Sequence, residues 1–317
     1  MPALLEWPEV ATELLSFVGT FATVGAIGFR YAVARGRLSP ASPPASPLRA
    51  AGADDGAIYA PAVGRAAVIG LVGAVLRALL LAARLPELAA RQHVSVAQLV
   101  TGAFQPGAQV VLIAAMLLGF ALAVGHRGAG WPLAALGVLG TVALPAVTGE
   151  WARLVNPLHV LAGGLWIGTL FVLVVAGLPV ALRRGGAPGR AHLMVAEMVN
   201  AFSPLALVAA SFVAFFGVST AWRHLPTLSA LWTTPYGYVL VVKLATVAAV
   251  VALGAWNWRR VRPTLGPDAA TAALRRSARM ELVVAGVVLV LSAVLVSLPS
   301  PKRPAIAPGA PAAPSAQ

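Results

Sequence analysis

The sequence of 317 residues contains no cysteine and has few charged residues. The lack of cysteine excludes disulfide bonds and thiolate metal sites, so ligands for a soft metal must come from methionine and histidine. Charged residues make up 10% of the chain, whereas soluble domains contain roughly a quarter. The sequence also lacks the P-loop, G-x-S-x-G and H-E-x-x-H motifs, which removes the main support for phosphoryl transfer and hydrolysis. We therefore expect a protein that is not an enzyme.

Apolar sequence is what the chain has in excess: 59% of its residues are hydrophobic and the mean hydropathy is +0.84. A helix that crosses the bilayer needs about 20 mostly apolar residues, and the sequence contains eight runs of this kind. The runs extend approximately from Leu14 to Ala34, Pro61 to Ala83, Gly107 to Gly125, Pro132 to Gly149, Pro157 to Leu182, Phe202 to Trp222, Tyr236 to Trp256 and Met280 to Leu298. The sequence predicts an all-α fold, a polytopic integral membrane helix bundle of about eight transmembrane helices.

The net charge of +13 comes from 23 basic and 10 acidic residues. Nucleic-acid binding needs basic residues clustered on a water-facing surface, whereas here they lie in short gaps between apolar runs, so no nucleic-acid partner is expected. Cytoplasmic loops are enriched in Lys and Arg, and this bias predicts that both termini lie outside. Glu6, Glu9 and Glu13 precede the first run without a basic residue, which favours a retained helix over a cleaved signal peptide.

The domain organisation follows the same pattern. We expect one membrane domain over residues 1–298, made of four helices in 14–149 and four more in 150–298, and a disordered Pro/Ala-rich tail over 299–317. The outer segment from Leu85 to Gln105 has apolar residues at helical spacing, which predicts an amphipathic helix at the interface.

A faint internal repeat relates the two halves. Leu99-Val100-Thr101 is followed by Gly107 and a helix, and Leu231-Trp232-Thr233 is followed by Gly237 and a helix. The pattern predicts that helices one to four and five to eight are parallel repeats.

Polar side chains at membrane depth are costly and are therefore candidates for function. In the fifth run, His159, Gly163 and Trp166 fall on one face at 100° per residue, while Gly164 and Gly168 form a ridge of small residues on another. One face is predicted to hold a site and the other to pack. The imidazole of His159 is either a metal ligand or a helix-start histidine bonded to a loop carbonyl.

The sixth run ends with Trp222 and His224, on the same predicted side as His159. The two imidazoles are candidates for sharing an ion, with Glu150 or His93 as further ligands. The alternative for Trp222 and His224 is an interfacial belt of aromatic and polar residues.

Two cations lie within the runs. Lys243 follows Tyr236 by seven residues, so that both share a face about 10 Å apart, and Arg77 lies at comparable depth in the second run. Lys243 either snorkels outward or pairs with Glu150 or an anionic ligand.

On the inner side, His192, Met194, Glu197 and Met198 cluster where the sixth run begins. Met194 and Met198 share a helix face, and thioethers with an imidazole suit Cu(I). This cluster is a candidate exit site; packing by the two methionines is the alternative.

An ordered set of residues spans the fifth to seventh runs. It comprises Asn156 to Gly168 with His159 and Trp166, Phe202-Ser203, Gly217, Trp222, Thr234-Pro235-Tyr236-Gly237, Lys243-Leu244, and Asn257 with Arg259-Arg260. In these positions the chain resembles the copper resistance D family of bacterial inner-membrane proteins. The resemblance implies an eight-helix, multi-pass protein of the cytoplasmic membrane that moves copper inward, often beside a periplasmic copper-binding partner of the copper resistance C type.

The preferred interpretation is a copper permease that contributes to copper homeostasis and resistance. Copper is then a transported substrate, received by His159 and His224 and released by Met194, Met198 and His192, with Trp166, Trp222, Tyr236 and Lys243 in support. One alternative is a membrane redox protein that binds haem or a quinone beside His159. Another is an assembly factor that hands copper to a second membrane protein without transporting it.

Overall fold

A computed structural model of the chain describes residues 6–34, 55–149, 151–184, 190–256, 259, 268–299 and 301. Within these residues the regular structure is helical and contains no strand. The predicted all-α class is confirmed.

Eight helices of the described chain are long and apolar enough to cross a membrane, which confirms the predicted number. We number them spans 1 to 8. They are Trp7–Val33, Tyr59–Arg91, Phe104–Val124, Gly130–Val147, Val155–Arg183, Leu193–His224, Pro235–Trp256 and Arg276–Ser297. Span 6 begins nine residues before the predicted Phe202, because helical turns continue beyond the apolar run into segments that contain polar residues. The protein is a multi-pass membrane protein, and the outward orientation of its termini stays a prediction.

Several spans belong to longer or interrupted helices. The helices are Trp7–Gly28, Asp55–Arg91, Val96–Gly102, Phe104–Val124, Gly130–Val147, Val155–Gly163, Thr169–Val172, Leu178–Arg184, Arg190–His224, Ala230–Thr233, Pro235–Trp256 and Asp268–Ser297, with a 3-10 turn at Trp151–Leu154. Span 1 ends in a π-helical turn at Phe29–Val33. Span 5 contains two more, Gly164–Gly168 and Leu173–Gly177. A π turn accommodates an extra residue, so the 100° spacing of an ideal α-helix does not hold beyond Gly163.

The segment between spans 2 and 3 differs from the single amphipathic helix expected from Leu85 to Gln105. The helix of span 2 continues to Arg91, and a separate helix covers Val96–Gly102. Ser95 starts the second helix through a capping box, in which the Gln98 backbone N–H donates to Ser95 Oγ at 3.2 Å and the Ser95 N–H donates to Gln98 Oε1 at 2.9 Å. The reciprocal cap satisfies two backbone donors at the new helix start, which is why the segment divides there.

Span 1 packs against span 2, which follows it in the chain, and against span 5. Its contact with span 5 is made of glycine backbones, since a Cβ atom on Gly25 would collide with the backbone of Gly168. A Cβ on Gly164 would meet Val24 at 2.9 Å. Small residues allow helices to approach closely in a membrane, and the packing role predicted for Gly164 and Gly168 is confirmed.

The short helices before spans 3 and 7 are built alike. Val96–Gly102 precedes span 3, and Ala230–Thr233 precedes span 7. A Cβ on Gly107 would collide with the carbonyl of Val100, and one on Gly237 with the carbonyl of Ala230. Before span 3 and before span 7, a glycine thus lets the spanning helix turn back closely over the short helix; the parallel repeat stays a prediction.

Candidate metal-binding site

His159 lies near the start of span 5 and faces span 6. Its Nδ1 atom is 3.0 Å from the carbonyl oxygen of Val213. A carbonyl only accepts hydrogen bonds, so Nδ1 carries the hydrogen in this contact. Nε2 then keeps its lone pair, which is the state in which a histidine binds a metal and is oriented through its other nitrogen.

Gly217 makes room for this imidazole. A Cβ atom at Gly217 would lie 3.1 Å from Cε1 and 3.6 Å from Nδ1 of His159. Gly217 follows Val213 by one helical turn, so the ring occupies a shallow notch on span 6. No pattern in the sequence marks the carbonyl of Val213, because every residue has one, whereas Gly217 is among the residues that carry the family resemblance.

Lys243 of span 7 is close enough to His159 to act on it electrostatically. Its side chain is partly buried, and no carboxylate of the described residues forms an ion pair with it. Glu150, the partner considered from the sequence, lies outside the described residues. The ammonium group therefore belongs to the surroundings of the imidazole.

His224 lies at the end of span 6, beside Tyr236 of span 7. Their rings are stacked, with centroids 5.9 Å apart and an interplanar angle of 11°, and His224 Nδ1 lies 2.8 Å from the carbonyl oxygen of Thr220. Gly217, which touches His159, precedes His224 by seven residues, or about 10 Å along an α-helix. The ring of His159 therefore contacts span 6 at Val213 and Gly217, and the ring of His224 contacts it at Thr220.

The tryptophans occupy different surroundings. Trp166 packs against the largest core cluster, whereas Trp222 is 75% exposed at the end of span 6. Gly163, placed on the face of His159 and Trp166 by ideal helix geometry, instead faces Phe21 of span 1, since a Cβ there would lie 2.9 Å from that ring. The π turn that begins at Gly164 lies between Gly163 and Trp166, so it prevents extrapolation of the face from His159 to Trp166.

Met194 and Met198 are fully buried in the core. A Cβ on Gly177 would lie 3.1 Å from the Met198 sulfur and 3.0 Å from the ring of Phe29, so this thioether fills a gap between spans 1, 5 and 6. Nearby in sequence, Glu197 Oε2 accepts a hydrogen bond of 3.0 Å from the hydroxyl of Tyr59. The side chain of His192 lies outside the described residues, and the exit site stays a prediction.

Within the described residues, no three or more His, Cys, Asp or Glu side chains are grouped so as to hold a metal. His93, a candidate ligand, lies in the exposed loop between two helices with φ of 55°. The described geometry centres on one oriented imidazole with a lysine nearby.

An eight-span helical bundle with an imidazole and an ammonium group inside its spans defines a multi-pass membrane protein with a polar site at membrane depth. Residues 196–295 match the family model described as copper resistance protein D, which confirms the resemblance seen in the sequence. The match includes Val213, Gly217, His224, Tyr236 and Lys243.

A curated relative is also named for copper. The chain is 28% identical over 158 residues, 49% of its length, to the copper transport protein CutJ of Bacillus subtilis (strain 168). The matched region covers 27% of that relative, so this chain corresponds to about a quarter of it. No solved structure gives a significant match. These similarities define a copper-related membrane protein.

Proposed function

We propose that this protein transports copper ions inward across the bacterial cytoplasmic membrane and so contributes to copper homeostasis. The observation that carries the proposal is the imidazole of His159, which is oriented by Val213 and leaves Nε2 available as a ligand. Its two contacts on span 6, Val213 and Gly217, lie within the segment that matches the copper resistance family. Imidazole nitrogen is a suitable ligand for copper ions.

The proposed path follows span 6. His224 beside Tyr236 receives the ion at the outer end, and His159 binds it further along span 6, beside Val213 and Gly217. Met194, Met198 and His192 release it at the inner end. Thioether sulfur is a soft ligand that favours Cu(I), so a path that ends at methionines suits the reduced ion. Copper is the substrate in this scheme, and a periplasmic protein of the copper resistance C type is the proposed donor.

The positions of the two candidate imidazoles also favour transport over haem binding. A bis-histidine haem needs two imidazoles that face each other across one iron. The imidazole of His159 instead contacts span 6 at Val213 and Gly217, whereas that of His224 contacts it at Thr220, further along the helix. This offset supports successive binding of one ion rather than a shared haem iron.

The test is copper uptake by the full chain in reconstituted vesicles, measured by metal analysis. His159→Asn keeps a polar side chain but removes the ligand nitrogen, and we expect uptake to fall at least about tenfold, as for loss of a metal ligand's function. His126→Asn is the matched control, because His126 is exposed in the loop between spans 3 and 4. Normal uptake by correctly inserted His159→Asn protein would overturn the proposal.

The same vesicles separate the remaining alternatives. An assembly factor without transport predicts that wild-type vesicles take up no more copper than empty vesicles. A haem protein predicts a visible absorption band in the purified chain. Either result would replace copper transport as the function of this protein.

A further inference from the structure

Arg77 is a charged side chain near the middle of span 2. Its Nη2 atom donates to Thr141 Oγ1 of span 4 at 3.3 Å, and the Thr141 hydroxyl donates in turn to the carbonyl of Val138 at 2.8 Å. A guanidinium has five N–H donors, so this contact uses one of them. The side chain is partly exposed, and no carboxylate of the described residues pairs with it.

Arg84, two helical turns further along span 2, is paired with a carboxylate of the protein. Its Nη2 lies 2.6 Å from Glu13 Oε1 of span 1. Spans 1 and 2 thus carry an internal counter-charge for Arg84 and leave Arg77, about 10 Å away along the helix, without one among the described residues. A charge at membrane depth is expensive unless it is paired.

The packing holds the Arg77 side chain between spans 1 and 2. A Cβ atom on Gly19 would lie 3.0 Å from Arg77 Cγ and 3.1 Å from the carbonyl oxygen of Gly73. The aliphatic part of Arg77 therefore lies over a glycine, and its head group reaches Thr141 on span 4. This arrangement fixes the guanidinium between three spans rather than directing it along the helix toward the interface.

The position of Arg77 corresponds to that of His159 in the other half. Gly19 and His159 are 140 residues apart, as are Arg77 and Gly217. In the first half an arginine of span 2 lies over a glycine of span 1, and in the second half a histidine of span 5 lies over a glycine of span 6. The polar residue and the glycine have exchanged helices.

Backbone contacts follow the same shift of 140 residues. The carbonyl of Gly73 lies beside Gly19, and that of Val213 accepts from His159. At the contact between the halves, Gly25 meets Gly168 and Gly28 meets Leu165. Residue 165 is 140 positions after Gly25, and residue 168 is 140 positions after Gly28, so the shift relates one pair to the other. Arg77 therefore occupies the repeat-related counterpart of the candidate metal site.

We propose that Arg77 and the surrounding parts of spans 1, 2 and 4 form a binding site for a small monovalent anion of the chloride type. The unused N–H groups of the guanidinium are the donors, and Thr141 positions them. Arg77 lies seven residues, about 10 Å, before Arg84 along span 2, so a lipid phosphate that approaches from the Arg91 end would meet Arg84 first. A monovalent halide also costs less to remove from water than a multiply charged oxyanion.

The test uses the purified full chain in alkyl maltoside micelles, which contain no phosphate, and needs no copper. Chloride replaces gluconate at constant ionic strength, and the thermal midpoint is recorded. We expect a saturable rise of about 3 °C at chloride well above its dissociation constant. Arg77→Gln abolishes the rise, whereas the matched control Arg84→Gln keeps it although it breaks the ion pair with Glu13.

A parallel series adds phosphatidylglycerol in place of chloride to test the lipid headgroup as the source of the anion. An Arg77-dependent rise with lipid but not with chloride overturns the halide assignment. The absence of a saturable chloride effect in the wild type, or its persistence in Arg77→Gln, also overturns the proposal.

A second variant guards against a failure of Arg77→Gln to fold. Gly19→Ala displaces the Arg77 stem without removing its charge, and we expect the chloride concentration for half of the thermal effect to rise about tenfold. An unchanged half-effect concentration contradicts the site. Because copper is absent throughout, a negative result leaves the proposed copper transport intact, and a failure of copper uptake leaves the anion site intact.

Discussion

The Nδ1 atom of His159 lies 3.0 Å from the carbonyl oxygen of Val213, 54 residues later in the chain. The bond joins span 5 to span 6 and fixes which imidazole nitrogen is available to a ligand. Since Val213 belongs to the segment that matches the copper resistance family, the candidate ligand and the matched segment form one structural unit.

Gly217→Ala tests whether the notch on span 6 sets the position of the imidazole. The added methyl would lie 3.1 Å from Cε1 of His159, so the ring must move by a few tenths of an ångström. We expect copper uptake to fall about tenfold, because small displacements of a positioned group are costly. Gly254→Ala is the matched control, since a Cβ there meets nothing within 4 Å. Equal uptake by the two variants would argue against a positioning role.

Lys243→Gln tests the electrostatic relation between Lys243 and His159. A nearby ammonium opposes binding of a cation at the imidazole, so its removal is expected to tighten copper binding about fivefold. Competition with a chromophoric chelator measures the affinity. Lys243→Arg keeps the positive charge and should leave the affinity within about twofold of the wild type. Weaker binding by Lys243→Gln would show that the lysine contributes to the site in another way.

Gly168→Ala tests the contact between the two halves. A Cβ at Gly168 collides with the carbonyl of Phe21 and approaches Gly25 Cα, and backbone atoms cannot move aside as a flexible side chain does. We expect a loss of about 3 kcal/mol in the free energy of unfolding, measured by denaturation in mixed micelles. Gly286→Ala, where a Cβ meets nothing within 4 Å, should leave stability unchanged or slightly higher. Similar stabilities for both variants would contradict the close packing.

Thr169→Val tests a buried hydroxyl in span 5. Thr169 is fully buried, and within the described residues its Oγ1 has no hydrogen-bond partner. Replacing the hydroxyl with a methyl of similar shape removes an unsatisfied polar atom, so we expect a gain of about 1 kcal/mol. The control is Thr23→Val, because the buried Thr23 hydroxyl donates to the carbonyl of Thr20 at 2.9 Å. Thermal midpoints should therefore shift in opposite directions, and a destabilised Thr169→Val would disprove the assignment.

The number and places of the spans were predictable from the sequence, because crossing a bilayer requires long apolar runs and little else produces them. The packing face of Gly164 and Gly168 was predictable for a related reason, since small residues four apart mark close helix contacts in membranes. The division of the segment after Leu85 was not predicted, although Ser95 and Gln98 form a recognisable capping pair.

The surroundings of His159 were only partly predictable. A histidine in an apolar run was visible as a candidate, but its partner proved to be the backbone of Val213, which carries no signal in the sequence. The face could not be extended to Trp166, because a π turn covers Gly164–Gly168 and periodicity assumes uninterrupted α-helix. The predicted sharing of one ion by His159 and His224 depends on the relative depth of the two residues. Gly217, which contacts His159, lies seven residues before His224 on span 6.

The glycine contact between spans 1 and 5 also has a consequence for biosynthesis. Gly25 is synthesised before Gly168, which covers it and follows 143 residues later. Helices of membrane proteins insert and then associate, so the small-residue face of span 1 cannot pack against span 5 until span 5 has been inserted. Span 1 thus gains this neighbour only after spans 2, 3 and 4 have been translated.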